Sequence, residues 1–240
     1  RVENYLIYMG SKNRLSKYLA PIIQSYITDE TKGYLEPFVG GANMIDKIKC
    51  NNRIGCDIDK YVIATLNGLK DGWIPPYEVT KDEYIDIKNN KNKYSECLVG
   101  YIGYELSFGA KWFGGYVERN DKKHRGDIYS YKSCVKQSAN LQGIKFINKN
   151  FQELPSDKIK NYVIYCDIPY RNTTNYKTDK FPYDEFYNWI KVMSIHNTVL
   201  ISEYWMPEEF QCIWSKECKT LLDSNKSSDD ENNIRIEKLF

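Results

Sequence analysis

Apolar residues at Leu15, Tyr18, Leu19, Ile22, Ile23, Tyr26 and Ile27 recur at the three- and four-residue spacing that lays one apolar stripe along an α-helix. Gly10-Ser11 supplies its start, and Pro21, which lacks a backbone donor, is expected to kink the helix or split it in two. The period then changes. Gly33-Tyr34-Leu35-Glu36-Pro37-Phe38 reads as a short strand, and Val39-Gly40-Gly41-Ala42-Asn43 as a glycine turn opening a helix through about residue 49. Arg53-Ile54-Gly55-Cys56-Asp57 reads as a second strand, followed by a helix over 61–69. Strand, glycine turn, helix, strand, acid is the βαβ rhythm of a doubly wound parallel sheet.

That rhythm stops over 70–144, where Pro75-Pro76, Gly103, Gly109 and Gly114-Gly115 punctuate short helical stretches rich in Tyr, Lys and Arg. This segment reads as an inserted, mainly helical subdomain, leaving 1–69 and 145–240 as the main domain. The α/β pattern resumes with strands at 145–148 and 162–166. A helix over 183–194 carries Phe186, Trp189, Ile190 and Met193 on one face, and Thr198-Val199-Leu200-Ile201-Ser202 forms the next strand. Residues 212–214 and 235–240 are expected as late antiparallel strands around a polar loop at 224–233.

Composition narrows the function. With 34 Lys+Arg against 32 Asp+Glu the net charge is +2, so a globally basic surface is excluded and any basic face must be local. Seven cysteines without a CxxC pair point to a reducing, cytoplasmic setting, to buried thiols and away from a zinc cluster. The two histidines, His124 and His196, lack a companion ligand at metal spacing, so no metal is expected. No apolar run is long enough to span a membrane. The chain starts at Arg1 rather than Met, as a processed chain or a fragment would.

In an open α/β sheet the ligand sits beyond the carboxyl ends of the strands, where this sequence places Glu36, Asp57 and Asp167. Gly40-Gly41 would let backbone approach a ligand at a helix start, and Asp57, 17 residues after Gly40, stands near the spacing of an acid that holds ribose hydroxyls. A tight turn and a helix-capping aspartate account for the same residues equally well. A dinucleotide is disfavoured, because GxGxxG is absent and Glu36 would repel a pyrophosphate. Asp167-Ile168-Pro169-Tyr170 sets a carboxylate beside an aromatic ring on a stiffened turn. Asp167 and the Ile168 carbonyl could accept from an exocyclic amine, and Tyr170 could stack on a base turned out of a duplex. The competing reading is a strand-terminal turn with a packed tyrosine.

Together these segments resemble the Dam-like, alpha-group adenine-N6 DNA methyltransferases, above all their phage and viral members, over nearly the whole chain. Tyr8-Met9-Gly10-Ser11-Lys12 is similar to the N-terminal motif, whose aromatic residue and lysine lie beside the methionine part of S-adenosylmethionine. Glu36-Pro37-Phe38-Val39-Gly40-Gly41 resembles the cofactor loop and Asp57-Ile58-Asp59 the ribose acid. Asn150-Phe151 resembles the adenine-lining pair, with Asn150 where an Asp is usual, and Asp167-Ile168-Pro169-Tyr170 the catalytic Asp-Pro-Pro-Tyr, with Ile168 for the first proline. Leu200-Ile201-Ser202-Glu203-Tyr204 and Glu237-Lys238-Leu239-Phe240 look like the segments that follow in viral members.

The resemblance implies a Rossmann-like sheet, S-adenosylmethionine as methyl donor, base flipping and no metal. It makes 70–144 the target-recognition subdomain for double-stranded DNA. Lys111, Trp112, Arg119, Lys122, Lys123 and Arg125 are the expected DNA contacts, since basic residues among aromatics and glycines suit a loop that grips phosphate and wedges into a duplex. A small aromatic core and a solvated turn remain the plain alternative for the same stretch. A cognate restriction endonuclease is a further partner the resemblance allows, with a monomer or weak dimer expected. The patterns of GATC-specific members are absent, so the target sequence stays open. Two rival functions remain: an inactive DNA- or cofactor-binding relative, which Ile168 keeps in play, and transfer to cytosine N4, RNA or a protein amide.

Overall fold

The computed structural model describes residues 13–117, 126–169, 181–219 and 234–240. Seven strands form one sheet in the order β3-β2-β1-β4-β5-β7-β6. β1 (Gly33–Glu36), β2 (Arg53–Asp57), β3 (Ile144–Asn148), β4 (Tyr162–Asp167) and β5 (Thr198–Glu203) are parallel, while β7 (Ile234–Leu239) runs antiparallel to both β5 and β6 (Trp214–Lys219). This is the Rossmann-like α/β sheet that the sequence pattern predicts, its order reversing between β1 and β4. Among the described residues no helix is long and apolar enough to cross a membrane.

Alternate residues of the parallel strands face opposite sides, so each side has its own core. Tyr34, Val163, Tyr165 and Leu200 pack on α1 (Asn13–Ser25), α2 (Lys60–Lys70), α4 (Glu96–Glu105) and the Cys134 side chain of α5 (Gly126–Ser138). Leu35, Ile164, Cys166 and Ile201 pack under α6 (Tyr183–Ser194), which buries Phe186, Ile190 and Met193, as the periodicity predicts. The segment 70–144 adds α3 (Lys81–Asn89), and its Val79, Tyr84, Ile102, Phe113 and Leu141 join the same continuous cluster as Leu19 and Tyr34.

Three local expectations are corrected. α1 runs unbroken through Pro21, because Pro21 and Lys17, whose carbonyl the proline leaves without a donor, both lie on its exposed side, while Leu19, Ala20 and Ile23 hold the other. β1 stops at Glu36, two residues early. The helix expected after the glycine turn shrinks to one tight turn, Ile45–Lys47. There Ala42 sits in the left-handed region (φ 57°), the Arg53 guanidinium donates to the carbonyls of Ile45 and Ile48, and Lys47 Nζ donates to that of Asn43. These bonds take the acceptors a longer helix would use.

Candidate active site

The strand ends bring four acids to one edge of the sheet: Glu36, Asp57, Asp167 and Glu203 close β1, β2, β4 and β5. Glu203, which motif reading did not single out as a site residue, is almost wholly buried. Glu36 is buried too, and the Tyr34 hydroxyl donates to its carboxylate at 2.7 Å. Burial pushes Glu36 well above the usual carboxylate range; the charges of Asp46 and Asp167 add to this, while the Tyr34 hydrogen bond and Lys47 oppose it.

Beyond β1 the chain turns back over β2. Val39 N–H donates to the Cys56 carbonyl at 2.8 Å, and Gly40 (φ 47°) aims its N–H at Asp57 Oδ2, 3.0 Å away. Gly55 makes this approach possible, because a Cβ there would lie 2.7 Å from Val39 Cγ2. The other Asp57 oxygen accepts from Asp59 N–H at 2.9 Å. Asp57 is therefore no helix cap. Asp59 is the cap of α2, accepting from the backbones of Tyr61 and Val62, and the Tyr104 hydroxyl also donates to it.

Burial raises Asp57 to about 6, even though the backbone bonds from Asp59 and Gly40 pull the other way. The folded chain thus binds this proton more tightly than the unfolded chain, whose carboxyl titrates near 3.8. The contribution to stability is complete below about pH 4 and is lost as pH rises through about 6. Urea titrations between these pH values should show that decline in the parent chain and a flatter profile in Asp57→Asn. Parallel profiles would contradict the assignment.

On the α6 side of the sheet, aromatic rings from the loops after β1 and β3 pack together. Phe38 and Phe151 lie 5.6 Å apart between centroids, Phe181 reaches both at 5.7 and 6.0 Å, and Phe186 backs all three. Asn150 caps the turn at 151–153, its side-chain oxygen accepting from Gln152 N–H at 3.3 Å. Sequence reasoning overlooked Asn148, whose amide donates to the carbonyls of Asp57 and Ile58 at 2.9 Å each, and Ile58 itself, which stands 72% exposed between the two aspartates. An apolar residue between two acids at a strand end was the available signal. Ile168 is buried, and the Tyr183 hydroxyl donates to the Pro169 carbonyl at 2.6 Å, tying the turn after β4 to the first residue of α6.

Of the expected DNA contacts, Lys111 and Trp112 are both exposed, Trp112 only in part (36%): one side of its ring stacks on Tyr61 at 4.9 Å and meets Tyr104 at 4.8 Å. The most exposed ring of the stretch is Phe108, 74% exposed on a turn closed by the Phe108 N–H to Gly115 carbonyl bond, with Ala110 and Phe113 both at positive φ. Tyr8, Lys12, Tyr170, Arg119, Lys122, Lys123 and Arg125 lie outside the described residues. The expectation of buried thiols holds for Cys56, Cys134 and Cys166 and fails for Cys50, Cys97 and Cys218, which are half-buried, and for Cys212, which is exposed.

The sequence pattern of the D12 class N6 adenine-specific DNA methyltransferases matches residues 8–227. The chain belongs to that class. It is also similar to the type II methyltransferase M.FokI of Planomicrobium okeanokoites, 22% identical over a 202-residue alignment that covers 74% of this chain. The matched part covers 30% of that protein's length.

Proposed function

We propose that this D12-class chain transfers a methyl group from S-adenosylmethionine to adenine N6 in double-stranded DNA, after turning the base out of the helix. The observation that carries the reading is Asp167-Ile168-Pro169 at the carboxyl end of β4, at the switch in strand order and electrostatically coupled to Glu36. The residues fit such a cofactor. Asp57 keeps lone pairs for a ribose diol beyond its two backbone bonds, and the half-buried Phe38, backed by the buried Phe151, and the exposed Ile58 offer apolar surface for an adenine. Asp167 supplies negative charge for a sulfonium, Glu36 a buried carboxyl beside it, and Gly40 and Pro37 belong to the loop after β1. Tyr8, Lys12 and Asn150 belong to the same cofactor assignment.

When bound, this cofactor would supply an electrophilic methyl group on a sulfonium sulfur. The chain's own task is to make a weak amine react, since the N6 lone pair is delocalised into the ring. In this reading the Asp167 carboxylate and the Ile168 carbonyl accept the two N–H bonds, hold the amine in line and return electron density to nitrogen. The surplus N6 proton leaves along the hydrogen bond to the Asp167 carboxylate. Tyr170 stacks on the extruded base, and the Tyr183–Pro169 bond keeps the turn from drifting. Phe108 on its rigid turn is the wedge, Lys111 the nearby phosphate contact and Trp112 the packing beneath them, with Arg119, Lys122, Lys123 and Arg125 further along the same stretch.

The test is methyl transfer to mixed-sequence duplex DNA with a labelled donor, followed by digestion to nucleosides. Label in N6-methyladenosine is expected; label on cytosine N4 moves the acceptor, and no label with intact DNA binding identifies an inactive relative. Ile168 bears on that last outcome. The mechanism uses its peptide oxygen, which proline also carries, and Pro169 already biases Ile168 toward the extended region. Ile168→Pro should therefore add mainly rigidity, about 0.4–1 kcal/mol, and change the rate by less than about tenfold. An inactive parent rescued by this substitution would refute the assignment.

A further inference from the structure

The antiparallel hairpin at the far edge of the sheet does not stop where the catalytic strands do. Its pairing with β5 ends at Glu203, opposite Lys238, whereas β6 and β7 remain paired through Lys216–Glu237, Glu217–Ile236, Cys218–Arg235 and Lys219–Ile234. Four further rungs carry the ribbon about 13 Å past the edge that bears Asp167 and Glu203. Three strand spacings, about 14 Å, separate β6 from β4. The ribbon therefore stands beside the entrance to the proposed target site.

Among the described residues, one face of the ribbon carries an excess of positive charge. Trp214 stacks on Tyr18 of α1 at 6.3 Å, which fixes the face shared by Trp214, Lys216 and, across the strand pair, Glu237 and Arg235. Lys216 and Lys17 lie 4.4 and 4.9 Å from the Tyr18 ring, and Arg235 lies 6.0 Å from the ring of Tyr204. Among the described residues, none of these three cations has an ion-pair partner. The acid on this face, Glu237, accepts from the Tyr204 hydroxyl at 3.4 Å. Lys17 and Lys216 together draw the Tyr18 phenol below its ordinary value, a local sign of the field they make. The near-neutral chain thus concentrates charge in a place that its composition does not reveal.

We propose that this face of the β6–β7 ribbon, with Lys17, Lys216 and Arg235, is a second DNA-backbone contact, holding the phosphates of the strand that flanks the extruded base. The Phe108 turn is tied through Trp112 to Tyr61 at the start of α2, directly after β2, and the ribbon lies on the opposite flank of Asp167. Five strand spacings, about 24 Å, separate β2 from β6, comparable to the width of a duplex. Two grips on opposite flanks would stop the duplex from pivoting while one base is withdrawn. The rings of Tyr18 and Tyr204 hold the cations in place without neutralising them.

The proposal rests on DNA being the substrate, and its test separates the two claims. Binding of the full chain to a duplex is measured against salt for the parent and for Lys216→Ala/Arg235→Ala, with cofactor affinity measured in parallel. Each lost phosphate contact should flatten the slope of log affinity against log salt by about 0.9, so the pair should flatten it by about 1.8, with cofactor affinity within twofold of the parent. A parent slope that the double variant leaves unchanged overturns the ribbon contact and leaves the DNA reading standing. A parent that shows no salt-dependent duplex binding overturns both.

Discussion

Replacing Asp167 by alanine should stop methyl transfer, lowering kcat by roughly a thousandfold or more while cofactor affinity stays within about tenfold of the parent. The asymmetry follows from what each acid faces. Asp167 ends β4 at the switch point, where an exocyclic amine would sit, and an interaction realised in the transition state is lost from kcat. Asp57 instead braces the Gly40 turn and the Asp59 backbone. Asp57→Ala should weaken cofactor binding first, because it removes a ribose acceptor and also frees the loop that folds back over β2. Single-turnover rates and equilibrium cofactor titrations on both variants decide the matter. Equal loss of cofactor affinity in the two would end this division of roles.

Phe186→Ala should destabilise the fold by about 3–5 kcal/mol, the range for emptying a buried aromatic site. Phe186 is fully buried, and its ring lies within 5.6 to 6.3 Å of Phe38, Phe151, Phe181, Tyr187 and Trp189. Phe38 and Phe151 cannot collapse into the gap without leaving the loops after β1 and β3 that carry them, and Tyr187 and Trp189 are held on α6 beside it. At about 2–4 °C per kcal/mol for a chain of this size, Tm should fall by roughly 6–20 °C. A shift under 2 °C would mean that the α6 side of the sheet repacks freely. The same variant should also weaken cofactor binding, since Phe38 and Phe151 lean on this ring.

Periodicity made the long elements legible. α6 begins and ends where the spacing of Phe186, Ile190 and Met193 puts it, and the parallel strands stand within a residue or two of their apolar runs. The failures share one cause: long-range bonds that no local pattern reveals. Arg53 and Lys47 took the carbonyls of residues 43, 45 and 48, so a helix-like stretch became a turn. Glu36, Asp57 and Asp167 were visible as candidate site residues at the strand ends, but Glu203 and the partners of these acids were not. The Tyr34–Glu36 bond and the Asn148 bonds to residues 57 and 58 arise only once strands lie side by side. Trp112 and Phe108 are alike in sequence context, and packing alone separates the ring held by Tyr61 and Tyr104 from the ring left in solvent.

The shared core beneath α2, α4 and α5 constrains how such a protein can change its target. Because Tyr84, Ile102, Phe113 and Leu141 are buried in the same cluster as Leu19 and Tyr34, the segment 70–144 has no private interior to carry into another scaffold. Exchanging it whole would open the sheet's own packing, and the graft would have to be redesigned on both sides of the join. If the Phe108 turn contacts DNA as proposed, specificity is altered with less disruption at its side chains, such as Phe108 and Lys111, because the turn is held by its own backbone bonds. Laboratory libraries aimed at retargeting should therefore diversify that turn and leave the helices beneath it alone.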